Sequence, residues 1–157
     1  MRYAVLATMA TLTLLPPTAV RADPINGQQP AICAALDARS CTDDAGCQSG
    51  QPAALDAPRF LRVDFTGKSI RSNHPDGGPR TTSIESLRTV EDRMILSGVE
   101  QGAEGPVGWN LVIGQEDGDM TLAVAGKGVA LILFGACTPS DMPPTATGSS
   151  SPPATRP

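Results

Sequence analysis

Hydrophobic and polar positions alternate with period two through the middle of this 157-residue chain. Leu61, Val63 and Phe65 are separated by Arg62 and Asp64, so one face of the segment is apolar and the other solvated, the mark of a half-buried strand. Met94-Ile95-Leu96, leading into Val99, predicts another. Val107, Trp109, Leu111 and Ile113 share one face of a third segment, Met120, Leu122 and Val124 alternate in a fourth, and Val129 to Phe134 is a nearly continuous apolar run. Glu116-Asp117-Gly118-Asp119 and Gly126-Lys127-Gly128 fall between these runs as short glycine-bearing connections of the hairpin kind, which makes the last three strands a meander.

No stretch of ten or more residues carries a convincing helical stripe. Ser83 to Arg93 has Ile84, Leu87 and Val90 at spacing three, but Thr81, Thr82, Thr89 and Val90 are β-branched and favour a strand. Residues 31 to 38 read equally well as a short strand or as one helical turn. The expected fold is all-β, six to eight antiparallel strands in a small meander, barrel or sandwich, with Phe60, Phe65, Trp109 and Phe134 as its core aromatics.

Both ends of the chain depart from this pattern. Arg2 precedes an apolar run, Ala4 to Leu15, broken only by Thr; Pro16-Pro17 follows, and Val20-Arg21-Ala22 has the small-residue spacing of a cleavage site. Residues 1–22 are therefore expected to be a signal peptide cut after Ala22. The run is too short to span a bilayer comfortably, so no stable membrane insertion is expected after cleavage. Ile32 stands where a lipid-attachment site at Cys33 would need a small residue. Residues 23–30 form a polar leader and 31–137 the β domain. Residues 138–157 hold six prolines among Ser and Thr, with no large aliphatic except Met142, and are expected to be a disordered tail. The expected location is the periplasm or the medium.

Without residues 1–22 the chain loses Arg2 and Arg21, leaving ten basic against sixteen acidic residues and a net charge of −6. That balance disfavours nucleic acid and anionic lipid as partners. The charges are unevenly spread. Ala57 to Val90 carries Arg59, Arg62, Lys68, Arg71, Arg80 and Arg88 against three acids, whereas Glu91 to Cys137 carries seven acids against Arg93 and Lys127. These are either exposed cross-strand pairs or a basic patch for an anionic partner, a protein or a small anionic ligand.

Four cysteines allow three pairings. Proximity favours Cys41 with Cys47 across a five-residue turn, which leaves Cys33 for Cys137. In the chain-entropy view the short loop contributes roughly 2 kcal/mol and the long one nearly 5 kcal/mol. The spacings lack the Cys-x-x-Cys of redox or haem sites and the compact ligand sets of zinc, so structural disulfides are expected and no cofactor.

His74 is the one histidine, within Arg71-Ser72-Asn73-His74-Pro75-Asp76-Gly77-Gly78-Pro79. A hydrolase could use it with Asp76 to orient the ring and Ser72 or Ser83 as nucleophile. The prolines and glycines instead describe an exposed turn, and a general base needs fixed geometry in a water-poor pocket. Asp43-Asp44 and Glu116-Asp117-Gly118-Asp119 lack the spacing of a calcium loop, Gly126-Lys127 lacks the glycines of a phosphate cradle, and no two acids stand out as a glycosidase pair. Trp109, sharing a face with Leu111 and Ile113, reads as core. No catalytic constellation emerges, and the chain does not read as an enzyme.

Gly108-Trp109-Asn110-Leu111-Val112-Ile113, through Gly118 to Phe134-Gly135-Ala136-Cys137, resembles small exported proteins of Gram-negative bacteria, particularly alphaproteobacteria, that end in a Trp-bearing strand and Phe-Gly-Ala-Cys. The resemblance implies an exported, disulfide-tied fold and carries no activity. The functional expectation is a periplasmic binding module, an inhibitor or accessory subunit presenting loops from a β scaffold. The alternatives are a small hydrolase using His74 and a structural envelope protein held by its Pro/Ser/Thr tail. Small barrel inhibitors of lysozyme and protease share this general build, but none of their specific motifs occurs here.

Overall fold

Strands with one apolar face must bury it, and in this chain they do so by curling into one antiparallel sheet around a common interior. The computed structural model describes residues 23–75, 78–102 and 105–141. Its strands are β1 (Ala31–Thr42), β2 (Gly46–Gly50), β3 (Phe60–Asp64), β4 (Ser69–Asn73), β5 (Pro79–Ser83), β6 (Ser86–Val90), β7 (Arg93–Gly102), β8 (Gly105–Gly114), β9 (Asp119–Gly126) and β10 (Val129–Pro139). Nine of them run in the order β5-β4-β3-β1-β10-β9-β8-β7-β6, and β2 pairs separately with the end of β1. The fold is thus all-β, a curled half-barrel sheet rather than a sandwich, with a few more strands than the periodicity alone counted.

The additional strands come from segments with weak patterns. Residues 31–38 belong to β1, and the Thr-rich stretch after Pro79 becomes β5 and β6, in keeping with its β-branched content. β5 and β6 are almost one strand. Ser69↔Ser83 ends the ladder to β4, Ile84 donates its backbone N–H to the Lys68 carbonyl, Glu85 donates to the Ser97 carbonyl, and Ser86↔Ser97 opens the ladder to β7. One chain segment thus joins both ends of the curled sheet at its lower half. Above that joint, β5 and the Gly98–Gly102 part of β7 lie side by side as a seam, with no ladder between them among the described residues.

The interior follows the predicted alternation. Leu61, Val63, Phe65, Met94, Leu96, Trp109, Leu111, Ile113, Met120 and Leu122 are all buried. Two of the expected core aromatics are not. Phe60 is 58% exposed and Phe134 40% exposed, both on the convex face, because the inward positions of their strands are Leu61, Leu131 and Leu133. Nearby, a β-bulge between Ala35 and Asp37 places Leu36 in the turned-out position, leaving it 69% exposed.

Both disulfides form across neighbouring strands. Cys33 faces Cys137 in the β1–β10 register and Cys41 faces Cys47 in the β1–β2 register. The long-range bond therefore fastens the first strand to the last. The leader is less detached than its polarity implied. Ile25 is buried beneath the lower end of the sheet, its backbone N–H donating to the Gln115 carbonyl and its carbonyl accepting from Gln115 Nε2. At the other boundary Thr138 and Pro139 complete β10, and Ser140 donates to the Pro30 carbonyl. The expected signal peptide and most of the expected tail, residues 142–157, lie outside the described residues.

Candidate functional site

The interior of the sheet is not filled at its upper end. β1 turns only small residues inward, Ala31, Cys33, Ala35 and Ala38. A cavity of about 140 Å³ remains. Its floor is apolar, made by Leu61, Ile70, Leu122, Val124, Leu131 and Leu133 from four strands, with Trp109 along one wall. Ser72, His74, Arg80, Thr82, Glu100 and Gln101 supply the polar groups of its lining. These come from the upper parts of β4, β5 and β7 and the loop after β4, so polarity is concentrated at one end and along the seam.

Strand register accounts for each of these placements. Arg80 lies opposite Ser72 and Thr82 opposite Ile70 in the β5–β4 ladder, so all four point to the concave side. On β7 the inward series Met94, Leu96, Gly98 ends at Glu100. Trp109 is buried against this series and its indole N–H donates to Thr82 Oγ1 at 3.1 Å, tying β8 to β5 across the seam. Gly98 makes that arrangement possible. A Cβ there would lie 2.5 Å from the Ser83 carbonyl oxygen and 2.6 Å from Trp109 Cζ2.

His74 lines the cavity and also a shallow crevice outside it with Ala57, Arg59, Phe60 and Asn73. Its backbone N–H donates to the Gly78 carbonyl at 3.3 Å, and the residue itself is half-buried rather than exposed. Ser72 shares the cavity with His74, whereas Ser83 faces the opposite side of β5. Among the described residues no hydrogen bond joins Ser72 to His74. Asp76 lies outside the described residues.

The six basic residues do not share one surface. Arg62 and Arg71 are cross-strand partners on the convex face, Arg59 precedes β3 near the crevice, Lys68 occupies the β3–β4 turn at the other end, and Arg88 lies outward on β6. Arg80 alone turns inward. The acidic turn 116–119 is at the lower end, where Arg93 reaches Asp119, Asp92 and Asp117. Its bond to Asp119 raises Arg93 above its usual value. Asp117 is held below the ordinary carboxylate range, first by hydrogen bonding with the Asp119 side chain and then by the Asp119 backbone N–H and Arg93. At the upper end Thr42 lowers Asp44 in the same direction through its hydroxyl.

Glu100 belongs to no sequence motif, and Arg80 lies in a basic stretch whose other members face elsewhere. The information was present for Glu100 in the alternation Met94-Leu96-Gly98-Glu100. For Arg80 it depended on the length of the β4–β5 connection, which sets the register and is not fixed by local sequence. No family model matches the sequence, and no curated protein is similar to it.

Proposed function

We propose that the mature chain is an exported binding module that holds a small, largely apolar ligand within the hollow of its curled sheet. The observation that carries this reading is the cavity itself, apolar below and polar toward one end, the usual composition of a small-molecule site. Apolar walls favour burial of hydrocarbon, and a few polar groups at the mouth fix orientation. Two disulfides and the export signal expected over residues 1–22 support an oxidising compartment. The hydrolase alternative has less behind it, because Ser72 and His74 share a wall without a bond between them.

The test is native mass spectrometry of the mature, oxidised protein after exposure to periplasmic extract. A one-to-one small-molecule adduct is expected. It should disappear in Val124→Phe, which fills the cavity, provided that variant retains a cooperative melting transition. Absence of any adduct, or an adduct indifferent to the substitution, contradicts the proposal.

A further inference from the structure

Two charged side chains of opposite sign line the cavity from the two sides of the seam, Arg80 from β5 and Glu100 from β7. Glu100 is half-buried, and no hydrogen bond or ion pair joins it to another described residue. A carboxylate partly withdrawn from water loses hydration, and a cation placed beside it would restore the lost interaction. Arg80 is already engaged within the molecule. A guanidinium nevertheless carries five N–H donors and can serve an internal partner and a ligand together.

The apolar part of the cavity sets the other half of the match. The volume of the whole cavity, about 140 Å³, is close to that of an apolar protein cavity of about 150 Å³ that holds benzene, so its floor has room for one compact apolar group. A ligand that complements the whole site has one compact apolar group, one anionic group and one cationic group. Resting on the binding reading above, we infer that the cavity takes a free α-amino acid with a compact apolar side chain, its carboxylate directed to Arg80 and its ammonium to Glu100. A ligand with only one of the charges satisfies only one side of the seam, which distinguishes a free amino acid from either terminus of a peptide.

The chain's one tryptophan lines the cavity, so its fluorescence reports occupancy without a label. Calorimetry and Trp109 fluorescence should be compared for L-phenylalanine, N-acetyl-L-phenylalanine, L-phenylalaninamide and toluene. L-phenylalanine should bind most tightly, with each singly charged analogue weaker by about tenfold or more. Glu100→Gln should weaken L-phenylalanine and phenylalaninamide by a similar factor and leave N-acetylphenylalanine unchanged. Tightest binding by either singly charged analogue, or insensitivity of L-phenylalanine to Glu100→Gln, overturns the amino-acid assignment. Equal binding of toluene overturns it while leaving the cavity as an apolar site. If none of the four binds, the assignment falls, and the extract experiment above decides separately whether the cavity holds a ligand of another class.

Discussion

Gly98 concentrates several demands of this fold in one position. It permits Trp109 to lie against β7 and lets the end of β5 approach the same strand. Neither neighbour can move easily, since one contact is a backbone carbonyl and the other a ring hydrogen-bonded to Thr82. Gly98→Ala is therefore expected to lower stability by about 1–3 kcal/mol, the usual range for overpacking, read as a lower urea midpoint together with a change in Trp109 emission. An unchanged midpoint would show that the seam is looser than described. Charged residues act more weakly. Asp44 and Asp117 are both held below the ordinary carboxylate range in the fold. A depressed folded value contributes stability that is present above the unfolded value and lost as pH falls through the folded one. The melting temperature should consequently drop on acidification below about pH 4, and Asp117→Asn should shallow that drop; equal slopes for the two proteins would contradict it. At this scale the sequence was informative about the inward Leu, Val and Trp positions and misleading about Phe60 and Phe134. Aromatic character implies burial only on average, whereas facing is decided by parity along the strand.

The meander from β7 to β10 could be read from alternating runs and glycine turns because its connections are short and local. Gly118 illustrates the point, with φ of +70° at the β8–β9 turn and its carbonyl accepting the Cys137 N–H. The β5–β6 joint was not readable in the same way. Its closure of the sheet depends on pairing with β4 on one side and β7 on the other, strands whose nearest ends are Asn73 and Arg93. The disulfides are the element-scale fasteners. Their pairing followed from proximity, and their unequal loops predict unequal effects. Replacing Cys33 and Cys137 together with Ala should cost nearly 5 kcal/mol, against roughly 2 kcal/mol for Cys41 and Cys47, measured by denaturant unfolding of the two double variants. Equal losses would mean that loop length does not govern the contribution of these bonds.

Over the whole molecule, the first and last strands are neighbours, so the central ladder cannot form until the chain ends meet. Such non-local pairing gives slow folding, in the range of milliseconds to seconds. The Cys33–Cys137 bond keeps those ends together in the unfolded chain. Its double Ala variant should therefore refold more slowly than the oxidised protein in stopped-flow fluorescence of Trp109, and equal rates would place β1–β10 pairing after the rate-limiting step. The all-β class and the disulfide framework could be anticipated from composition and periodicity. The hollow could not, because its lining is drawn from β3, β4, β5, β7, β8, β9 and β10, a relation that exists only once the sheet has curled. That hollow is the basis of the functional proposal. The measurement that addresses it most directly is methyl NMR of the oxidised, ¹³C-labelled mature protein during titration with toluene as an apolar probe. Saturable shifts at Leu61, Leu122, Val124, Leu131 and Leu133, with Leu36, Val90 and Val99 on the outer surface unmoved, are the predicted result. Shifts confined to the outer residues, or none at all, would contradict an interior binding site.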